Sequence, residues 1–446
     1  MLDKIKLKKA KTIITNHLFG SLLLYYVFLF LIVLIRSVIT GITYDEAYTY
    51  ISFGRIDLFS YHTLRFLYGK ANCIANNHWL NSILINIFNK LIAIEYNEFV
   101  IRLPILLFFV FYLIGVWYAY KHKYISIVTA IVLVSNYYLL EFYGLARGYG
   151  MANTCVYFAC LSFIKWKNSQ YKECKHLIWL MFYMSIASFS NTIALLLYPA
   201  FGLICLYRLI CTGSLEKFIK KYGLLFFAFM LFTLLMIKYH LNISSEGKPL
   251  YTGGEQNFFN SVILGYVEML IPYNNISYII ASISSFILIA GAIYLNKEII
   301  YNDFSFMLII FVATNLLMEL VFHKGYIATR VLLPFYSFVV ISFCELLSLI
   351  LIKIKNEKIH NNYVLKIFKV SICLLFVTIT IIQTNFMYTK DWKDDYRFKN
   401  WVLGEKLTNE KYPESSYWNA AEVFYQQKYE NGITEYFSDI ETTRNK

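Results

Sequence analysis

The stretch LFGSLLLYYVFLFLIVLIRSVITGITYDEAYTY, residues 18–50, decides the fold class of this chain. Residues 18–40 carry a single charged side chain, Arg36, and about 20 apolar residues in a helix cross the hydrocarbon core of a bilayer. The apolar run leads directly into adjacent carboxylates, Asp45 and Glu46. Charge near hydrocarbon is costly and is usually kept for function, so this acidic pair needs a reason.

The composition of the whole chain agrees with a membrane location. Its 446 residues are 58% hydrophobic and 15% charged, with a mean hydropathy of +0.52. A soluble domain of this length needs far more polar surface, so the sequence predicts an all-α polytopic membrane protein. We expect about 11 transmembrane helices, at residues 18–40, 98–120, 124–142, 149–166, 177–190, 191–210, 222–240, 276–296, 304–322, 331–352 and 366–386.

Basic residues indicate how these spans are oriented. With a cytoplasmic N-terminus, the inner segments 1–17, 121–123, 165–176, 207–222, 297–303 and 353–369 hold 21 Lys and Arg residues. The outer loops between spans, 41–97, 143–149, 241–275 and 323–330, hold 8. Positive residues favour the cytoplasmic side, so we expect an integral protein of the bacterial inner membrane with its N-terminus inside. Residues 1–386 then form a transmembrane domain, with a first outer loop at 41–97, and residues 387–446 form a small extracytoplasmic tail. We interpret the net charge of +13 as anchoring the protein at the inner leaflet, and no nucleic-acid partner is expected.

The adjacent acids are the first candidates for chemistry. Neighbouring residues on a helix point about 100° apart, so one acid is expected to act while the other supports it by pairing with an arginine or capping a helix. The structural alternative is that Asp45 only caps the short interfacial helix that follows it. Arg102, in EFVIRLP at 98–104, is expected to neutralise Glu98 or an acid of the preceding loop.

His78 is a second candidate because it precedes an amphipathic pattern. Apolar residues in NNHWLNSILINIFNKL, residues 76–91, recur at helical spacing, which predicts a helix lying in the membrane interface. His78 stands at the start of this helix, where an imidazole can reach a polar cleft. A lone histidine is more often an interfacial filler than a catalytic group, so only its surroundings decide its role.

Two further turns carry basic residues at the predicted outer face. One is EFYGLARGYG, residues 141–150, with an arginine among three glycines, and the other is HKGYIATRVLLPFY, residues 323–336. A guanidinium fork matches phosphate oxygens bidentately, which favours a phosphate site. Snorkelling arginines and contacts to anionic lipid headgroups are the structural alternatives. The candidate substrate-binding residues are therefore His78, Arg147, Tyr149, His323, Lys324 and Arg330.

Taken in order, these motifs resemble the GT-C glycosyltransferases, in particular the bacterial branch similar to protein O-mannosyltransferases and lipid A aminoarabinose transferases. The order is D-E-A-Y-T after the first span, N-H-x-L-N at the interfacial helix, E-F-x-x-R-L-P, A-R-G-Y-G and finally R-x-L-L-P. No motif is specific by itself. Their common order and predicted side, over about residues 18–386, carry the resemblance.

The resemblance implies transfer of a sugar from a polyprenyl-phosphate donor, as co-substrate, to a lipid, glycan or protein acceptor at the outer face. In the family, the acid of the first outer loop is the catalytic carboxylate, which falls on Asp45, with Glu46 completing the pair. Arg147 and Arg330 fall on the arginines of the last two motifs.

The resemblance leaves two points open. The helix after the acidic loop often begins with His-Pro-Pro in the family, whereas Trp79 and Leu80 follow His78 here. Some members hold a divalent metal in the cleft, but this sequence has no clear cluster of metal ligands. Metal dependence therefore stays open, and no other cofactor is expected.

The expected chemistry needs one carboxylate and one cationic site. The carboxylate takes the proton of the acceptor hydroxyl, which is typically worth about 10²–10⁴-fold in rate, and arginine donors stabilise the leaving phosphate. Phosphate leaves without being protonated, so no second acid is needed, in contrast to a glycosidase. One base and a direct displacement predict inversion at the anomeric carbon.

A flippase or transporter for lipid-linked sugar, and a polysaccharide polymerase or ligase, are the competing functions. Transporters place polar residues near mid-membrane, often within repeats, whereas the ionisable residues here gather at one face and no repeat is visible. A polymerase or ligase is expected to carry its basic loops later and to lack an acidic pair after the first span. The sequence therefore favours the transferase.

Overall fold

A computed structural model describes most of the predicted membrane region. It covers residues 2–54, 78–245, 258–270, 302–322, 329–357 and 362–384, short pieces within 276–283, and Ala421 and Phe424. His323 and Lys324, most of the predicted span 276–296 and almost all of the predicted tail 387–446 lie outside these residues. The structure is 88% helical, and the residues it describes form no strand, as expected for an all-α membrane protein.

The helices follow the apolar runs of the sequence. They are α1 (Leu2–Ile39), α2 (Tyr44–Thr49), α3 (Trp79–Ile92), α4 (Glu98–Lys121), α5 (Ile127–Val134), α6 (Tyr137–Tyr143), α7 (Gly148–Asn168), α8 (Lys175–Ser190), α9 (Tyr198–Cys211), α10 (Leu215–Ser245), α11 (Gly265–Leu270), α12 (Asp303–Phe322), α13 (Tyr336–Glu357) and α14 (Asn362–Gln383). Wider π turns form Tyr50–Gly54 and Phe259–Leu264, and tighter 3₁₀ turns form Thr192–Leu197 and Thr329–Phe335.

Five helical segments in the described part of the chain are long and apolar enough to cross a membrane. They are Gly20–Ile39, Glu98–Lys121, Thr192–Cys211, Leu215–Tyr239 and Arg330–Ile352. Each coincides with one of the predicted spans, which supports an integral membrane protein. The larger number of spans expected from the sequence stays a prediction.

Two breaks in the helices have a local cause. The predicted span 124–142 divides into α5 and α6 because the Asn136 side chain accepts a hydrogen bond from the N–H of Leu139 at 3.0 Å and so starts a new helix. Between the predicted spans 177–190 and 191–210, Asn191 accepts from the N–H of Ile193 at 3.1 Å and starts the 3₁₀ turn.

A buried polar network joins α4, α7 and the start of α13. The side-chain oxygen of Asn153 accepts from the N–H of Ser337 at 2.9 Å. The Ser337 hydroxyl lies 3.1 Å from that of Tyr112, which donates to the carbonyl of Leu133 at 2.8 Å. Polar groups inside a membrane must find partners within the protein, so this network fixes the position of the turn that carries Arg330.

The surface of the helices is apolar where lipid is expected. Leu24 of α1 and Leu224 and Phe227 of α10 are exposed, in a protein whose arginines Arg102 and Arg147 are fully buried. Exposed apolar surface of this extent is costly in water and suits a bilayer.

One residue of the predicted tail packs on the predicted first outer loop. The ring centroid of Phe424 lies 5.6 Å from the centroids of both Tyr50 and Tyr96. Tyr50 directly follows α2, and Tyr96 lies two residues before the start of α4. Phe424 therefore lies on the same side of the molecule as the acidic pair.

Candidate active site

A capping box places both acids of the pair in the first turn of α2. The Thr43 hydroxyl accepts from the N–H of Glu46 at 3.3 Å, and the Glu46 carboxylate accepts from the N–H of Thr43 at 2.9 Å. This reciprocal pair satisfies two backbone donors at the helix start. Thr43 rather than Asp45 caps the helix, which leaves the Asp45 side chain for another role.

Glu46 forms a buried, bidentate ion pair with Arg102. Nε of Arg102 donates to Oε1 at 2.8 Å and Nη2 donates to Oε2 at 2.6 Å, with both side chains fully buried. The N–H of Ala146 also donates to Oε1, at 2.6 Å. Burial by itself raises the pKa of Glu46, but the charge of Arg102 and these hydrogen bonds outweigh it and hold the pKa below 4.5.

The other N–H groups of Arg102 hold the end of α1. They donate to the carbonyl of Ser37 at 3.1 Å, of Thr40 at 2.7 Å and of Gly41 at 2.8 Å. The last carbonyls of a helix have no partner within it, and a cation there is favourable. One guanidinium group thus joins α1, α2 and α4, and the acid that Arg102 neutralises is Glu46.

Asp45 brings two of the predicted basic residues together. Its Oδ2 lies 3.2 Å from Nη2 of Arg147 and 3.8 Å from Nη1 of Arg330. Arg147 also donates to the backbone carbonyl of Asp45 at 3.4 Å. The Asp45 and Arg147 side chains are buried, and the Arg330 side chain is 17% exposed. Three segments that are far apart in sequence therefore meet at one carboxylate oxygen.

The turn that carries Arg147 is fixed from two sides. Its Ala146 donates to Glu46 through the N–H group, as described above, and accepts from the side-chain amide of Asn81 through the carbonyl, at 2.7 Å. Asn81 lies on α3, the predicted interfacial helix, and is fully buried. Asn81 of α3 and Glu46 of α2 thus position Arg147 together.

His78 lies beside Arg147 and Tyr149, just before α3. Its Nδ1 is 3.1 Å from the carbonyl oxygen of Ser190, so this nitrogen carries the hydrogen and donates it. The ring centroids of His78 and Tyr149 are 4.8 Å apart in an edge-to-face contact. Burial lowers the pKa of His78 well below 6.5, and the charges of Arg147 and Arg330 lower it further.

The structure thus gathers most of the residues singled out in the sequence. Asp45, Arg147 and Arg330 meet directly, and His78 and Tyr149 adjoin Arg147. Glu46 forms the buried ion pair with Arg102, which we call the anchor, and so holds the supporting position expected for one of the two acids. His323 and Lys324 lie outside the described residues.

Sequence reasoning missed two residues that shape the site. Asn81 supports the turn of Arg147, and the carbonyl of Ser190 fixes the imidazole of His78. Asn81 follows His78 by three residues, one helical turn, and this spacing was the available signal. A backbone carbonyl leaves no signal in the sequence, so the contact of Ser190 was not predictable.

Gly148→Ala should lower the free energy of unfolding by about 1–3 kcal/mol, because the new methyl group has no space. A Cβ there would lie 2.1 Å from the Ser190 carbonyl oxygen and 2.7 Å from Cβ of His78. Denaturant unfolding in detergent measures the loss. Gly202→Ala in α9 is the control, since a Cβ there meets nothing within 4 Å and alanine favours a helix by up to about 1 kcal/mol. Equal stability of the two variants would contradict this packing.

The depressed pKa of His78 predicts that acid destabilises the protein. Below its ordinary pKa of 6.5 the histidine of the unfolded chain takes up a proton, whereas the folded imidazole stays neutral. The contribution of neutral His78 to the free energy of unfolding is therefore fully present above about pH 6.5, and it is lost as the pH falls towards the pKa of His78 in the folded protein. Melting temperatures between about pH 7.5 and about pH 5.5 test this, and His78→Asn should flatten that slope. A slope that is unchanged in His78→Asn would show that other groups cause it.

Comparison with known proteins gives no independent support for a family. No family model, curated protein or solved structure matches the chain. Among the residues that the structure describes, no group of three or more His, Cys, Asp or Glu side chains is placed to hold a metal ion. The resemblance to the GT-C glycosyltransferases therefore depends on the motifs quoted above and stays an expectation.

Proposed function

We propose that this protein is a membrane glycosyltransferase that moves a sugar from a polyprenyl-phosphate donor to an acceptor hydroxyl. The single observation that carries the proposal is the meeting of Asp45 with Arg147 and Arg330 at one buried carboxylate oxygen. Such a set combines a proton acceptor with two guanidinium forks, which suit a phosphate group. Displacement of a sugar from its phosphate requires both a base for the acceptor hydroxyl and cations for the leaving phosphate.

In the proposed reaction Arg147 and Arg330 bind the donor phosphate. The acceptor oxygen forms the new bond to the anomeric carbon, while the bond from that carbon to the phosphate oxygen breaks and its electron pair leaves with the phosphate. Asp45 takes the hydroxyl proton as the new bond forms. The guanidinium groups stabilise the charge on the leaving phosphate, and the single displacement inverts the anomeric carbon.

The division of labour between the two acids follows from their contacts. Both carboxylate oxygens of Glu46 accept hydrogen bonds from Arg102, and each accepts one more from a backbone N–H. Its role in the proposed reaction is to hold α2 in place. Asp45 faces the residues that are proposed to bind phosphate, so it is the proposed base.

The proposed location follows from the basic residues and from the contact of the tail. We place the N-terminus in the cytoplasm of a bacterial cell and the site at the outer face of the inner membrane, where lipid, glycan and protein acceptors are reached. The tail lies on the same outer side, which agrees with the packing of Phe424 on Tyr50. No nucleic-acid partner is proposed.

Variants of Arg330 test the phosphate site. Arg330→Ala should cost about 2–4 kcal/mol of transition-state stabilisation, or about 30- to 1000-fold in kcat/KM. Arg330→Lys keeps the charge but loses the planar fork, so its loss should be smaller but clear. Affinity for polyprenyl phosphate is measured on the purified protein. The donor is first identified by mass spectrometry of cell-envelope lipids and glycans from cells with and without the gene. Turnover of the variants is then measured with that donor.

Arg208 provides a matched control. Like Arg330 it is 17% exposed and is paired with an aspartate, Asp303, but the pair joins α9 to α12 away from the proposed site. Arg208→Ala should lower the melting temperature without changing carrier affinity. The phosphate site is refuted if Arg147→Ala and Arg330→Ala bind polyprenyl phosphate as the wild type does.

A further inference from the structure

One ring nitrogen of His78 has no partner in the described part of the chain. Nε2 is buried and makes no hydrogen bond, while Nδ1 is engaged by the Ser190 carbonyl. Because Nδ1 carries the hydrogen, Nε2 of the neutral ring is an acceptor. A buried acceptor without a donor costs about 1–3 kcal/mol, so a group that supplies the donor is expected to bind there.

The ring is held in a fixed orientation. Tyr149 contacts it edge-to-face, and Gly148 approaches so closely that a Cβ at that position would lie 2.8 Å from Cγ of His78. The hydrogen bond to Ser190 sets the tautomer. A fixed acceptor of this kind selects for the position of a donor, as the polar groups of ligand sites do.

The surroundings of Nε2 restrict the chemistry of the missing donor. Arg147 and Arg330 act on the imidazole electrostatically and disfavour added positive charge. An ammonium group or a metal cation is therefore a poor occupant. A neutral O–H group can donate to Nε2 without adding positive charge. The ligand that carries it is also expected to carry an anionic group, which the two arginines would bind.

We infer that Nε2 of His78 accepts a hydrogen bond from a sugar hydroxyl of the ligand whose phosphate lies at Arg147 and Arg330. This inference rests on the proposed function, and it makes His78 a specificity residue of the same site. The released carrier has no sugar and cannot make this hydrogen bond. His78 therefore favours the sugar-bearing donor over the spent carrier, which helps the product to leave.

Two conservative substitutions separate the two ring nitrogens. The amide nitrogen of asparagine reaches the place of Nδ1 but leaves nothing at Nε2, whereas the longer glutamine puts an amide oxygen near the place of Nε2. The ligands are polyprenyl phosphate and its glucose, mannose and galactose esters. Their affinities are measured by calorimetry on the full-length protein in detergent, with the melting temperature as a check on folding.

The ester that the wild type binds most tightly should bind His78→Asn about tenfold more weakly, the size of one buried hydrogen bond. Polyprenyl phosphate should bind both proteins equally, and His78→Gln should recover most of the loss for the ester. Equal losses for carrier and ester would overturn the inference while leaving the phosphate site intact. Wild-type protein that binds no ester more tightly than the carrier also overturns it. Protein that binds neither ligand overturns the proposed function as well.

Discussion

Glu46→Gln should lower the free energy of unfolding by about 3–5 kcal/mol, because it leaves the buried guanidinium of Arg102 without its counter-charge. Both side chains of this pair are fully buried, and the pair joins α2 to α4. The glutamine amide nitrogen would also face donors instead of acceptors, namely Arg102 and the N–H of either Ala146 or Thr43. Reversible unfolding in detergent, followed by circular dichroism, measures the change.

A matched exposed pair separates burial from charge in this experiment. Glu216 pairs with Lys220 on α10, with the two side chains 77% and 74% exposed. Glu216→Gln should leave the stability nearly unchanged, since exposed pairs contribute little.

A double variant tests the coupling directly. Arg102→Met and Glu46→Met should each be strongly destabilising, and the double variant should be less so than the sum of the two, because no unpaired charge remains. Additive losses would mean that the two residues act separately, against the anchor described above.

Asp45→Asn should reduce turnover by about 10²–10⁴-fold, the range for removal of a general base. Asparagine has nearly the same shape and still offers an oxygen to Arg147, so the fold and the binding of polyprenyl phosphate should persist. The measurements are kcat with saturating donor, carrier affinity and melting temperature on one preparation.

Asp303→Asn is the control for Asp45→Asn. Asp303 is also buried and pairs with an arginine, Arg208, and the side chains that bond to it, Arg208 and Tyr171, are not residues of the proposed site. It should lower the melting temperature and leave turnover unchanged. Turnover of Asp45→Asn near the wild-type rate would remove Asp45 from the role of base and leave the arginines as the main evidence for a phosphate site.

The parts of the fold that depend on local patterns were predictable. The apolar periodicity of residues 76–91 predicts the helix found as α3, Trp79–Ile92, because side chains on one face recur every three to four residues. The boundary between the predicted spans 177–190 and 191–210 also coincides with the end of α8 at Ser190. The division of residues 124–142 at Asn136 was not, because a single polar residue in an apolar run does not show whether its side chain will cap a new helix.

The candidate site was predictable only as a set of residue types. Arg147 and Arg330 stand out as basic residues at a predicted outer boundary, but the sequence does not show that they share Asp45. The partner of Arg102 was equally hidden, since Glu46 lies 56 residues away. Contacts over such separations depend on how helices pack, and packing has no period in the sequence.

The long separation within the anchor has a consequence for biosynthesis. When the ribosome has made α2, Glu46 still lacks Arg102, which follows 56 residues later, and the N–H of Ala146, which follows 100 residues later. Glu46 can therefore complete these hydrogen bonds only after α4 and the turn before α7 have been made. The contacts that join α1, α2 and α4 are thus completed by segments made later than α2. A chain that ends before Ala146 lacks the hydrogen bond from that residue to Glu46.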